Sequence, residues 1–143
     1  MSANDFTRFF IESGFEELSV ARKAATERVH RLLRSTFEDP ERAIGAYDGL
    51  LEARGLEGTL GVLQSDDFFG RHWHFGWMRG GLFARGNRQK AREALDELPS
   101  AIRAHYELTM RERDLERVLR DERAREDDER LRSAATQERQ KDR

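Results

Sequence analysis

At 143 residues the chain has room for one domain with a single elongated core, and too little for a catalytic domain plus an accessory one. Hydrophobic residues make up 37% and charged residues 38%, with two prolines, a balance that favours long solvent-exposed helices over a thick-cored globule. A net charge of -2 and a pI near 6.1 argue against a dedicated nucleic-acid binder, and the absence of cysteine excludes a disulfide framework, a thiolate nucleophile and a cysteine-ligated metal.

The opening segment carries Phe6, Phe9, Phe10 and Ile11. It predicts a short amphipathic helix that ends at Ser13-Gly14 and folds back on the domain, or else a frayed arm; leaving the four side chains wet would forgo roughly 1.5 to 3 kcal/mol apiece. With no basic leader before an apolar core and no run of about eighteen apolar residues, neither a signal peptide nor a membrane insertion is expected. Synthesis and residence in the cytoplasm follow as the expectation.

From Phe15 to Thr36 the positions Phe15, Leu18, Ala21, Ala25, Val29, Leu32 and Leu33 recur at three- and four-residue spacing, which predicts an amphipathic helix. Asp39-Pro40 then reads as an N-cap followed by proline at the first helical position. The helix it opens should bury Ala43, Ile44, Tyr47, Leu50 and Leu51 and stop at Gly55. A third helix is expected from Leu56 to Gln64 with Leu56, Leu60, Val62 and Leu63 inward. Gly58 and Gly61 within it each cost about 1 kcal/mol relative to alanine, suggesting that another element packs closely there.

The stretch 65–92 is the most distinctive. It holds five of the eleven glycines, both tryptophans, two of the four histidines and six basic residues, with no acid after Asp67. Asp66 could cap one further turn through Phe68 and Phe69, after which Gly70, Gly76, Gly80, Gly81 and Gly86 disfavour continuous helix. The basic residues Arg71, Arg79, Arg85, Arg88, Lys90 and Arg92 form a positive island between acidic flanks, with Trp73, Phe75, Trp77 and Phe83 interleaved. Such a surface suits a partner-docking patch or stacked single-stranded nucleic acid, unless the aromatics are core plugs and the arginines merely solvated.

The last element starts at Asn87, with Ala91, Ala94, Leu95 and Leu98 on one face; Pro99 should kink it or begin a new segment. Ile102, Tyr106 and either Leu108 or Thr109 continue the stripe, then Leu115, Val118 and Leu119. Beyond Leu119 the only large apolar residue is Leu131, so the tail should fray into an isolated charged helix or disorder. From Arg111 onward there are eleven groups of each sign, closely mixed, the pattern of a solvated helix.

No constellation for catalysis emerges. His72-Trp73-His74 is a histidine-hydrophobic-histidine triplet, but a nuclease metal site needs it on a strand with a catalytic tyrosine, and Tyr47 and Tyr106 lie on apolar helical stripes. Asp48 and Glu52 share an exposed face that lacks a histidine, Glu41 and Glu57 add solvated charge, and Ser35 and Ser100 sit in ordinary helical contexts. The expectation is no enzyme, no metal and no cofactor.

In order along the chain stand Asp39-Pro40, Phe75-Gly76 with Arg79-Gly80, the basics Arg85, Arg88, Lys90 and Arg92, Ala91 and Ala94, Leu98-Pro99, Ile102 and Tyr106. This order resembles the BID domain, the secretion-signal module of conjugative relaxases and of Bartonella effectors, over roughly residues 20 to 120. The segment from Phe68 to His74 and the charge-balanced tail depart from the family pattern. The resemblance implies an all-α fold, an elongated antiparallel four-helix bundle capped by a hook, here with a frayed charged C-terminal helix. Its parts would be an N-terminal arm (1–14), the bundle (15–121) and the tail (122–143).

By the same resemblance, Phe75, Gly76, Trp77, Gly80, Leu98, Pro99 and Tyr106 would build the hook and its support. Arg71, Arg79, Arg85, Arg88, Lys90 and Arg92 would meet the partner. That partner would be the type IV coupling protein, the ATPase at the channel entrance, with DNA touched only indirectly through a parent relaxase. The chain would act as a monomer and pass from the bacterial cytoplasm into a recipient cell. The positive island and the acids of the second helix would set encounter and orientation, and reversing Arg85, Arg88 and Arg92 together should block transfer with the fold intact. The alternative is a DNA-associated accessory module of a conjugative relaxosome.

Overall fold

A computed structural model describes residues 3–80 and 85–141, with side chains in those ranges except at 3–7, 10, 67, 68, 85 and 86. Four helices make up nearly all of it: α1 (Ala3–Thr36), α2 (Pro40–Gln64), α3 (His72–Phe75) and α4 (Arg85–Lys141), with a π-helical turn (Asp67–Arg71) before α3. The fold is all-α; among the described residues the extended backbone pairs only at an isolated bridge between Phe37 and Met78. No helix among the described residues is long and apolar enough to cross a membrane.

Helix starts follow local chemistry where the sequence spells it out. Asp39 accepts the backbone N–H of Arg42 at 3.2 Å and Pro40 occupies the first helical position, so α2 begins at the expected residue. The helical path stops at Gly55 as expected, and the run from Leu56 to Gln64 is a second helix joined to the first across a kink. Gly55 has φ 70 and ψ -168, outside helical geometry, yet helical structure resumes at once; Thr59 donates its hydroxyl to the Gly55 carbonyl at 2.8 Å, satisfying an acceptor exposed by the break. The expected close neighbour at Gly61 is not found: a Cβ there would meet nothing within 4 Å, and at Gly58 it would meet only Arg54 of α2.

At Gly14 the expected break is absent. Helix α1 crosses Gly14 without interruption, because one glycine costs about 1 kcal/mol and its helical neighbours outweigh that. Phe9 is 57% exposed, and the side chains of Phe6 and Phe10 lie outside the described residues. Helix α4 runs through Pro99, which withdraws one backbone donor, and Ser100 donates its hydroxyl to the Glu97 carbonyl beside it.

The chain packs as two units. In the unit made of residues 21–108 the core is Val29, Leu32, Leu33 and Phe37, with Ala43, Tyr47, Leu50, Leu60, Val62 and Leu63 of α2, Phe75, and Ala94, Leu98, Ala101 and Ile102 of α4. In the unit made of 1–20 and 109–143, Leu119 is buried and Arg8 reaches Glu12 at 3.1 Å and Glu126 at 2.9 Å. Of the two forms expected for the tail, charged helix or disorder, the structure has the helix, which runs to Lys141 and is laced by the pairs Arg125–Glu122, Arg130–Asp127 and Arg132–Asp128.

Candidate docking site

The described part of the connection between α2 and α4, residues 65–80, is held by its own backbone. After Ser65 the chain turns, with the N–H groups of Phe69 and Gly70 both donating to the Asp66 carbonyl, so Asp66 does start a further turn as its position suggested. The π turn and α3 pack on α2. Gly76, at φ 89, then releases the chain into an extended strip. Glu38 donates its N–H to the Trp77 carbonyl at 2.9 Å and Arg79 donates to the Thr36 carbonyl at 2.8 Å, stitching this strip to the link between α1 and α2. Beneath the stitch the rings of Phe37 and Phe75 stack at 5.2 Å, both fully buried.

Four arginines act as clamps within this region. Arg42 donates to the Trp73 carbonyl at 2.9 Å, Arg71 to Leu63 at 3.3 Å, Arg79 to Arg34 at 2.6 Å and Arg88 to Gly80 at 3.0 Å. Three of the six residues expected to meet a partner, Arg71, Arg79 and Arg88, therefore also hold the connection in shape. Lys90 and Arg92 are exposed on α4, and the side chain of Arg85 lies outside the described residues, as do Gly81 and Phe83. Arg42 was missed because it stands on α2, far from the basic run in sequence.

The residues expected to support the region divide. Phe75, Gly76 and Leu98 are buried, and Gly80 takes φ 93 with its α-carbon against the backbone of Arg88. Trp77 is not a core plug: it is 65% exposed, and Trp73 and Phe69 are 74% and 82% exposed. The reason is the glycine at 76, which resets the direction of the chain between Phe75 and Trp77, so one aromatic enters the core and the other leaves it. Trp77 lies on the imidazole of His72, ring centroids 3.7 Å apart. Tyr106, expected on the buried stripe, is only half-buried; Pro99 is also half-buried.

The buried place on α4 falls to His105, which no apolar pattern could flag. Its Nδ1 lies 2.5 Å from the Tyr47 hydroxyl, inside the core. Burial pushes the imidazole below its usual value of 6.5, Arg22 and then His30 push it the same way, and Asp48 opposes them. Burial, followed by the Asp48 carboxylate, raises the Tyr47 phenol above its usual value of 10.0. With both groups held neutral, a single hydrogen bond joins them, its donor set by the tautomer of the imidazole. Across from them, Nε2 of His30 is buried without a partner.

This arrangement makes folding pH-dependent with a definite sign. A depressed native imidazole binds fewer protons than the unfolded one, so its contribution is complete above about pH 6.5 and is lost as pH falls from there through the native value. The thermal midpoint should drop between pH 7.5 and 5.5, and this drop should shrink in His105→Gln, measured by circular dichroism. An identical pH profile in the variant would refute the assignment.

His72 and His74 occupy one helical turn two positions apart, which points their rings to different sides. Among the described residues there is no group of three or more potential metal ligands. The chain was compared with protein-family models, curated proteins and solved structures, and none matches.

Proposed function

We propose that this chain is a secretion signal, a binding module that brings the polypeptide carrying it to a type IV secretion system by docking on the coupling ATPase at the channel entrance. The observation that carries the reading is the α2–α4 connection, an arginine-clamped platform that combines clustered positive charge with exposed aromatics. It lies in the part of the chain that carries the resemblance to BID domains, and on this reading it is the hook that caps an elongated four-helix bundle. A helical core without cysteine suits passage through a narrow channel, since no covalent staple opposes unfolding. The module works as a monomer, begins in the bacterial cytoplasm and ends in a recipient cell.

The test is to fuse the chain to the C-terminus of a reporter recombinase in a donor strain and to score recombination in recipients. Transfer that requires the coupling protein is expected. A stable fusion that stays in the donor while the system moves its own substrate sinks the reading. Within that assay, reversing Lys90 and Arg92 to glutamate should cut transfer by about tenfold at unchanged helicity, because rim charges govern encounter and orientation. Arg88 is left out of the reversal because its guanidinium also holds Gly80. Unchanged transfer by the folded double variant would show that these charges are solvated surface.

A further inference from the structure

Three large aromatic side chains of the connection face solvent: Phe69, Trp73 and Trp77. Phe69 and Trp73 stand four residues apart on the helical run 67–75, the spacing that brings side chains to one face. Leaving them wet forgoes the favourable transfer of their apolar surface out of water, while Phe75 within the same segment is taken into the core. The backbone beneath them is held at three points: Trp73 by Arg42, Trp77 by Glu38, and Arg79 by Thr36. A rigid backbone presenting aromatic and arginine side chains loses little entropy on association, and these are the residue types that dominate interface energetics.

We propose that Phe69, Trp73 and Trp77 form the anchoring surface of the module, seating in an apolar pocket rimmed by carboxylates on a partner protein. Charge complementarity selects that occupant. Arg42 and Arg79 each donate to a neutral carbonyl, which fixes the position of the cation without cancelling it, and residues 71–92 include six basic groups and no acid. Carboxylates at the rim of the pocket would face these cations. Single-stranded nucleic acid fits less well, because the whole chain is net negative, whereas a dedicated nucleic-acid binder carries a basic domain. The arginines thus position the surface and the aromatics anchor it. The inference rests on the reading of the chain as a docking module for the coupling ATPase.

Trp73 and Trp77 are the only tryptophans of the chain, so its tryptophan emission, read after subtracting that of the ATPase titrated alone, reports this surface. The complete chain is titrated with the soluble ATPase domain of the coupling protein from the donor system, and separately with a single-stranded oligothymidylate. With the ATPase, emission should shift to the blue and acrylamide quenching should fall. By calorimetry, Phe69→Ala with Trp73→Ala should weaken binding by about tenfold or more with an unchanged circular dichroism spectrum. Full-strength binding by the folded double variant overturns the aromatic anchor and leaves the docking reading standing. A tryptophan response to the oligothymidylate and not to the ATPase transfers the surface to nucleic acid and overturns the inference. Failure of the unmodified chain to bind the ATPase overturns the docking reading, and the inference with it.

Discussion

Phe75→Ala is expected to destabilise the unit 21–108 by about 3 to 5 kcal/mol, the usual cost of deleting a buried aromatic ring. The ring is fully buried and stacks on Phe37, which sits under the link between α1 and α2. Removing it also loosens the strip pinned by the Glu38–Trp77 and Arg79–Thr36 hydrogen bonds. For a chain of this size the thermal midpoint should fall by roughly 10 °C. Trp77→Ala, two residues away, should cost under about 1 kcal/mol despite deleting a larger side chain, because that ring is mostly in water already. Thermal melts of the two variants separate the alternatives, and equal losses would show that Trp77 is part of the core.

Gly80→Ala should be nearly as damaging, for a backbone reason. At φ 93 an alanine is strained, and its Cβ would stand 2.5 Å from the backbone nitrogen of Arg88, an atom that cannot swing aside. Strain alone is worth about 1 to 3 kcal/mol, and relief requires the connection to part from the first turns of α4. Hydrogen exchange at the amides of residues 88–91 should accelerate by about 100-fold, equivalent to about 3 kcal/mol at 1.4 kcal/mol per decade. Gly61→Ala is the contrasting change: nothing lies within 4 Å of the new methyl, so it should stabilise α2 by up to about 1 kcal/mol. Unaltered exchange in Gly80→Ala would mean that the connection and α4 are not held together there.

Whatever depends on near neighbours along the chain is legible in the residues themselves. Asp39-Pro40 starts a helix because cap and φ constraint are local. Val29, Leu32 and Leu33 on one helix, Leu60, Val62 and Leu63 on another, and Ala91, Ala94, Leu98 and Ile102 on a third are buried because periodicity alone assigns an inward face. The tertiary structure decided where periodicity lapses or a partner stands elsewhere in sequence. In the glycine-broken stretch no period relates Phe75 to Trp77, so only folding against Phe37 tells the core ring from the exposed one. Charge counting could locate Arg71, Arg79 and Arg88, but their role as clamps depends on carbonyls that other segments bring within reach. His105 is tolerated in the core because Tyr47, 58 residues earlier, supplies its hydrogen bond. Gly14 was expected to end a helix, yet α1 continues, because a local cost of about 1 kcal/mol yields to the helical structure on both sides of it.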